Sequence, residues 1–127
     1  MAEKNAETMR ELQKGSIPIT MTVGGCTYEI LNFLRGNEKS VDGEIMAKRA
    51  AELNADLGKD DGHHLLKYQD EIPSALQRKV IFIFPNWRHP VCPGFVCYVY
   101  WHGDRWVGGW SWLIRDFSGD CRVLRRK

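Results

Sequence analysis

Alternating apolar and polar residues between positions 19 and 31 predict a β-hairpin. The segment reads ITMTVGGCTYEIL, with Gly24-Gly25 at its centre. A two-residue glycine turn is a strong hairpin signal, and the register that it sets leaves one face apolar and the other polar. The apolar cross-strand pairs expected from this register are Val23 with Cys26, Met21 with Tyr28, and Ile19 with Ile30. We therefore expect one packed face and one face in water.

Helical spacing follows in the middle of the chain. Ser40 is placed to cap a helix that runs to about Leu53, and Asn54 and Gly58 are typical of the residues that stop a helix. The residues expected to face the core are Met46, Ala50, Leu53 and Leu57, which recur at helical intervals.

A second helix and a short turn are predicted after this stop. Asp60 or Asp61 is placed to cap the helix, which ends near Glu71, and Pro73 suits the first turn of the next short segment. The residues expected to face inward are Leu65, Tyr68 and Ile72, and the short segment after Pro73 contains Leu76. The middle third of the chain is therefore predicted to be helical.

Apolar runs typical of strands begin after Lys79. Residues 80–84 are apolar at every position, which suits a strand covered on both faces, and Pro85 is expected to end it. Residues 121–125 form the last predicted strand, after a turn at residues 116–120. The fold class expected from all these segments is α+β, with an N-terminal β-hairpin, a helical middle and a C-terminal antiparallel sheet of three to four strands.

The densest tryptophan pattern lies in this C-terminal sheet. Pairing residues 95–101 with residues 105–113 across a turn at Gly103-Asp104 sets Trp101 opposite Trp106. Because side chains alternate between the faces of a strand, one face is expected to carry Phe95, Cys97, Val99, Trp101, Trp106, Gly108, Trp110 and Trp112. The opposite face is also rather apolar, so we expect this hairpin to lie in the centre of its sheet.

The tryptophan row has two interpretations. Under the first, the rings are the core of a small domain. Under the second, part of the row is exposed to a partner, since aromatic residues and arginines concentrate binding energy at interfaces. The second interpretation predicts a non-enzymatic binding or protein-interaction module whose binding residues are Trp101, Arg105, Trp106, Val107, Trp110, Trp112, Arg115 and Ser118.

Length and charge limit the number of domains and the kinds of partner that we expect. A chain of 127 residues is the size of one domain, and no linker divides it. Residues 2–14 carry a thin apolar stripe, so residues 1–16 are expected to hold a frayed or loosely packed helix. The net charge of +2 is too small to indicate nucleic-acid binding by itself.

The cysteines and the start of the chain predict a cytoplasmic protein. Cys26, Cys92, Cys97 and Cys121 show no paired CxxC spacing. The first residues are charged rather than apolar, and no long apolar run follows them. We therefore expect reduced thiols and no membrane partner.

One spacing suggests a metal site. His89, Cys92, Cys97 and His102 stand as H-x2-C-x4-C-x4-H, with intervals similar to those of short zinc sites. Cys97 and His102 lie five residues apart in one predicted strand and so point to opposite faces, and we expect neither a metal nor a cofactor. No catalytic pair is predicted either. His63-His64 is interpreted as a solvated helix end, Cys26 has no base near it in the sequence, and the acidic pairs are interpreted as a helix cap and a solvated face: Asp60-Asp61 and Asp70-Glu71.

Nucleic-acid binding is the alternative function. Proteins that bind single strands stack bases on exposed rings and follow the phosphates with cations. The arginines that could serve in this way are Arg105, Arg115, Arg122, Arg125 and Arg126. Neighbouring aspartates dilute their charge, so a protein or small-ligand partner is the first expectation.

Several segments carry a family resemblance. They are TYEIL at 27–31, NEKSVDG at 37–43, EIP at 71–73, FPNWRHP at 84–90, the series W-x4-W-x3-W-x-W-L from Trp101, and RVLRRK at 122–127. On these segments the chain resembles a family of short uncharacterised bacterial proteins with a Trp-rich C-terminal segment. The resemblance covers nearly everything after Ile17, and it implies no known activity.

The C-terminal series also looks like the Trp-framed variable regions of diversity-generating retroelements. Phe117 occupies a position where such segments usually carry a tryptophan. The intervening positions, which would vary to change a binding surface, are Val107, Gly108, Gly109, Ser111, Ile114, Arg115, Ser118 and Gly119. This resemblance implies a further alternative, a variable binding protein.

Overall fold

The computed structural model describes residues 17–127, so the helix predicted for residues 2–14 lies outside the described residues. In chain order the elements are β1 (Thr20–Val23), β2 (Cys26–Leu31), β3 (Ser40–Asp42), α1 (Gly43–Glu52), α2 (Lys59–Lys67), β4 (Ile81–Arg88), β5 (Phe95–His102), β6 (Arg105–Trp112), β7 (Asp116–Ser118) and β8 (Cys121–Arg126). Short 3-10 helices cover Gln69–Glu71 and Ser74–Leu76. The predicted mixed α+β class is confirmed.

The strands of this part of the chain form two sheets. The larger has six strands in the order β1-β2-β8-β4-β5-β6, and the smaller pairs β3 with β7. The large sheet is antiparallel except where β4 runs parallel to β8. The N-terminal hairpin is therefore not a separate unit, because β8 joins it to the C-terminal strands.

The N-terminal hairpin has the predicted register. Val23 pairs with Cys26 and Met21 pairs with Tyr28. Gly24 and Gly25 have φ angles of 55° and 80°, the left-handed values that a tight two-residue hairpin turn requires. Ile19 is opposite Ile30 as expected, since the Ile30 N–H donates to the Ile19 carbonyl at 2.8 Å. The expectation that Ile19 joins the packed face was wrong, because it precedes β1 and is 78% exposed.

The helix starts differ from prediction. Ser40 lies in β3, paired with Ser118, and the cap of α1 is Asp42, whose side chain accepts a hydrogen bond from the Ile45 N–H at 2.9 Å. Neither Asp60 nor Asp61 caps α2; the N-cap is Gly58, which makes no side-chain cap bond. Whether a residue caps a helix depends on its position in the tertiary structure as well as on its type, and Ser40 and Asp42 are equally suitable by type.

Each face of the large sheet has its own core. The face covered by α2, which we call the α2 face, buries Met21, Val23, Tyr28, Ile30, Leu65, Ile72, Leu76, Val80, Phe82, Phe84, Val99, Trp106 and Leu124. The opposite face, which we call the α1 face, buries Phe33, Val41, Met46, Ala50, Ala55, Ile83, Val96, Phe117, Cys121 and Val123. The sheet is thus a central layer with apolar contacts on both sides.

Pro85 does not end β4. The strand continues to Arg88 through a bulge, where the register against β5 jumps from Phe84 opposite Cys97 to Arg88 opposite Val96. A bulge lets a strand carry residues that lack a ladder partner, which is how a proline is accommodated here. The bulge also places the Trp87 side chain against the α2-face core.

The β5–β6 hairpin has the predicted register but not the predicted position. Trp101 pairs with Trp106, and every pair from Phe95–Trp112 to His102–Arg105 follows the predicted pattern. However, β6 is an outermost strand of the large sheet rather than a central one. Apolar residues on both of its faces therefore do not mean that β6 is enclosed on both sides.

Candidate functional site

The four tryptophans of the hairpin differ sharply in burial. Trp106 is 1% exposed and packs on Phe82 with ring centroids 5.4 Å apart, so it belongs to the core. Trp101 is half-buried and meets Trp106 edge to face at 5.8 Å. Trp110 and Trp112, at the other end of β6, are 39% and 42% exposed. The tryptophans are thus core residues near the hairpin turn and exposed residues at the far end of β6.

The exposed end of β6 belongs to a continuous series of six rings, which we call the aromatic strip: His63, Trp87, Trp110, His89, Phe95 and Trp112. Successive ring centroids are 4.6, 6.1, 5.0, 6.0 and 3.8 Å apart. Phe95 and Trp112 are stacked, whereas the contacts of Trp110 with Trp87 and His89 are edge to face. These are favourable aromatic geometries, and they hold the exposed rings in place.

Trp87 and His89 were not predicted as site residues, and a local contact holds each of these two rings of the strip in place. Trp87 lies so close to α2 that a Cβ on Gly62 would be 2.2 Å from its Cζ3 atom. His89 follows the β4 bulge, and its Nδ1 accepts hydrogen bonds from the N–H groups of Val91 and Cys92 at 3.1 and 3.2 Å. The only sequence signal was the segment FPNWRHP, in which aromatic rings stand among prolines.

The backbone of β6 turns one side away from β5. The odd-numbered residues of β6 direct their backbone hydrogen bonds towards β5. The Leu113 N–H continues this series, since it donates to the Gly94 carbonyl at 2.8 Å. In an antiparallel pair the alternate residues direct their N–H and C=O groups the other way. The outward residues are Trp106, Gly108, Trp110 and Trp112.

Two of these outward positions already have partners. The Gln69 side chain donates from Nε2 to the Trp106 carbonyl at 3.1 Å and accepts at Oε1 from the Trp106 N–H at 2.8 Å. The Trp112 carbonyl accepts from the Arg115 N–H at 3.1 Å. No strand within residues 17–127 pairs with the outer side of β6, so the backbone of Gly108 and Trp110 forms an open edge in this part of the chain.

The sequence of β6 lacks the residues that usually protect an outer strand. Residues 106–114 read WVGGWSWLI, without a charge or a proline. Natural proteins normally shield an outer strand with lysines, prolines or a very short length, because an open edge pairs readily with other strands. The opposite outermost strand, β1, follows that rule with four residues, of which Thr20 and Thr22 are exposed.

The structure divides the predicted binding residues between two faces. Trp110 and Trp112 both belong to the aromatic strip, but Val107 points to the α1 face of β6. Arg105 is the first residue of β6, and Arg115 lies beyond its last residue. Ser118 lies in β7 on the α1 side, where its Oγ donates to Asp120 at 2.6 Å. It lines a cavity of about 270 Å³ together with Ile81, Ile83, Tyr98, Ser111, Asp116, Phe117, Asp120 and Cys121.

The arginines near the C-terminus lie away from the tryptophans. Arg122, Arg125 and Arg126 are on β8, which β4 and β5 separate from β6. Arg122 donates to the carbonyls of Gly119 and Cys121, and Arg125 contacts Glu29 at 2.7 Å. Sequence proximity suggested a shared cationic and aromatic surface, but the strand order does not bring these side chains together.

A buried polar group on the α2 face also escaped prediction. Asp61 is 8% exposed and accepts from the Tyr28 hydroxyl at 2.9 Å and from Arg126 Nε at 2.8 Å. Burial, reinforced by Asp61, raises the pKa of the Tyr28 phenol well above its usual range. The three side chains satisfy one another, which is the arrangement that a structural ion pair needs.

The two buried thiols are poorly suited to nucleophilic attack. All four cysteines are free, and burial raises the pKa of Cys97 and of Cys121 to about 11, which disfavours the nucleophilic thiolate. Within residues 17–127 no three His, Cys, Asp or Glu side chains converge in a way that could hold a metal ion. The H-x2-C-x4-C-x4-H spacing therefore does not become a cluster.

The positions between the tryptophans are accessible. Not one of the eight intervening positions named for the variable-region resemblance is buried, whereas the framing residues Trp106 and Phe117 are 1% and 4% exposed. Side-chain changes at these positions would therefore alter the surface more than the core, except at Gly109, where a Cβ would lie 2.9 Å from the Tyr98 ring.

Comparisons of the chain with protein-family models, with curated proteins and with solved structures find no significant match. None of the helices in the described part of the chain is long and apolar enough to span a membrane.

Proposed function

We propose that the protein is a non-enzymatic interaction module that binds a protein partner through the outer edge of β6 and the exposed rings of the aromatic strip. The observation that carries this proposal is the combination, on one strand, of an unprotected backbone edge with two exposed tryptophans. Either feature alone is common. Together they supply both the hydrogen bonds and the apolar contacts by which an added strand binds a sheet.

The geometry favours a protein partner over a stack of nucleic-acid bases. Trp110 is contacted edge to face by two neighbouring rings, and one face of Trp112 is covered by Phe95. Base stacking needs accessible ring faces together with cations along the strand. The guanidinium of Arg88, which is close in sequence to the strip, is instead bonded to the Pro85 and Pro93 carbonyls.

Nucleic-acid binding remains the second candidate, and the exposure of Trp112, Arg105 and Arg115 supports it. It predicts an affinity that falls steeply with salt. The variable-binding-protein alternative uses a surface made of the eight intervening positions, of which Val107, Ser111 and Ser118 lie on the α1 side rather than in the aromatic strip. The accessibility of these eight positions supports it. It differs in expecting the partner to change with the sequence of that surface.

Quantitative affinity capture with matched baits tests the proposal. The baits are the wild type, a Trp110→Ser/Trp112→Ser variant, and an Ile45→Ser control that removes an apolar residue, 41% exposed, from α1. We expect the proteins enriched by the wild type to be retained by the control and lost with the double variant. Equal capture by all three baits would contradict the proposal, and nuclease-sensitive capture would favour the nucleic-acid alternative.

A further inference from the structure

The open part of the β6 edge has defined limits. At one end the limit is Gln69, which bonds to the outward N–H and C=O groups of Trp106. At the other end the limit is the turn after Trp112, in which the Arg115 N–H donates to the Trp112 carbonyl. An added strand can therefore pair with residues 108–112 and with little else. Gly108 and Trp110 offer both of their outward backbone groups within this span, and Trp112 offers its N–H, because its carbonyl accepts from the Arg115 N–H.

The span is complementary to itself. If two copies of residues 108–112 pair antiparallel about a two-fold axis at Trp110, Trp110 faces its own counterpart, and Gly108 faces Trp112 of the other copy. An axis at Gly109 instead sets Trp112 against Trp106, whose outward groups Gln69 already occupies. The axis at Trp110 is thus the one that uses the whole open span.

The side chains fit this register. Gly108 leaves space on the α2 face, where a Cβ would lie 3.7 Å from Cys97 Sγ and 3.9 Å from Leu66 Cδ1. An aromatic ring across the ladder commonly covers a glycine on an outer strand, and Trp112 of the second copy would do so here, against Leu66. The paired residues carry no charge, so no ion is buried without a partner.

We propose that the partner of the β6 edge is a second copy of this chain, paired antiparallel about Trp110 to give one continuous sheet through both copies. This inference rests on the proposed function, because it names the partner of that same surface. A two-fold interface must present the same residues from both sides, and the placement of Gly108 and Trp112 two residues before and after Trp110 meets that requirement.

Charge substitution at the axis tests the register. Sedimentation of the wild type from about 1 μM to about 200 μM is expected to show a species of twice the 14.7 kDa chain mass. Trp110→Lys alone and Trp110→Glu alone place like charges opposite each other, so each is expected to weaken the dimer about tenfold or more. Mixing the two variants is expected to restore a dimer that contains one copy of each. Ile45→Lys is the matched control and should dimerise like the wild type.

Each other outcome overturns the inference. A wild type that stays monomeric, or a dimer that the Trp110 variants leave unchanged, would show that β6 does not pair with itself. A mixture that fails to restore the dimer would show that Trp110 is not at the axis. Affinity capture distinguishes failure of this inference from failure of the proposed function. If the protein is monomeric but the Trp110→Ser/Trp112→Ser variant still loses the captured partner, the surface binds a different protein. Thermal unfolding of each variant confirms that it is folded.

Discussion

Gln69 bonds to the backbone of Trp106 as a neighbouring strand would. Its amide donates to the Trp106 carbonyl at 3.1 Å and accepts from the Trp106 N–H at 2.8 Å, and so completes the edge of β6 next to the hairpin turn. The side chain thereby protects the part of β6 whose tryptophan is buried. Beyond it, the edge has no strand partner among residues 17–127, and there the tryptophans are exposed.

Gln69→Ala should lengthen the open edge by one outward position. Both hydrogen bonds would be lost, so the free energy of unfolding should fall by about 1–2 kcal/mol. Amide exchange at Trp106 should accelerate, while exchange at Val107, which pairs with Tyr100 in β5, should change little. Gln69→Glu is the matched variant, since it retains an acceptor for the Trp106 N–H but no donor for the carbonyl. Unchanged exchange at Trp106 in both variants would show that the contact contributes nothing.

Trp106 and Trp110 should differ in how much each contributes to the free energy of unfolding. Trp106→Ala empties a fully buried site and should lower the free energy of unfolding by about 3–5 kcal/mol. Trp110→Ala removes a partly exposed ring and should cost about 1 kcal/mol. Urea unfolding measures both values. Equal losses would mean that Trp110 is a core residue, and the interaction surface would lose its main contact.

Gly62→Ala should disturb the aromatic strip from the side of α2. The added Cβ would lie 2.2 Å from Trp87 Cζ3, so the ring must move, and the cost of about 1–3 kcal/mol should exceed the gain of about 1 kcal/mol in helix propensity. Gly119→Ala is the control, because its Cβ would meet Leu34 Cδ1 at an ordinary 3.6 Å. Near-ultraviolet circular dichroism and urea unfolding report the two effects. A stabilised Gly62→Ala variant would contradict the packing of Trp87 described here.

Acid should weaken the attachment of the loop before β3 to α1. Glu38 accepts two hydrogen bonds from Arg49 and one from the Arg35 N–H, and these lower the pKa of Glu38 from 4.5 to about 2. Since the folded-state pKa is the lower one, the unfolded chain binds the proton more readily, and this stabilising contribution is complete above about pH 5. It should be lost as the pH falls from 4.5 towards 2.

Urea unfolding at a series of pH values measures this loss. Glu38→Gln should remove that part of the pH dependence, whereas Glu52→Gln, which affects an exposed pair with Arg35, should leave most of it. Identical pH profiles for the wild type and Glu38→Gln would show that the contact does not control acid stability.

Local signals explain what the sequence predicted correctly. Both hairpins were placed with the right register, because a short turn with glycine fixes pairing between residues that are adjacent in the chain. Gly24-Gly25 sets the first register, and Gly103, with a φ angle of 71°, contributes to the second turn. Alternation then assigns each side chain to a face, including the shared face of the four tryptophans.

Long-range pairing explains what the sequence analysis missed. The outermost position of β6 depends on which strands join β4 and β8, and nothing within residues 95–113 specifies those neighbours. The aromatic strip depends on the β4 bulge after Pro85, which brings Trp87 to Trp110 from a different strand. Exposure of Trp110 and Trp112 was therefore undetermined until the strand order was known.

Amide exchange along β6 tests most directly whether a protein partner covers this edge. The outward N–H groups of Gly108 and Trp110 and the inward groups of Val107, Gly109 and Ser111 lie in the same strand, so each set is the control for the other. We expect fast exchange of the outward set in dilute protein, marked slowing at high concentration or with a captured partner, and slow exchange of the inward set throughout. Outward amides that exchange equally fast under every condition would show that no partner covers the β6 edge.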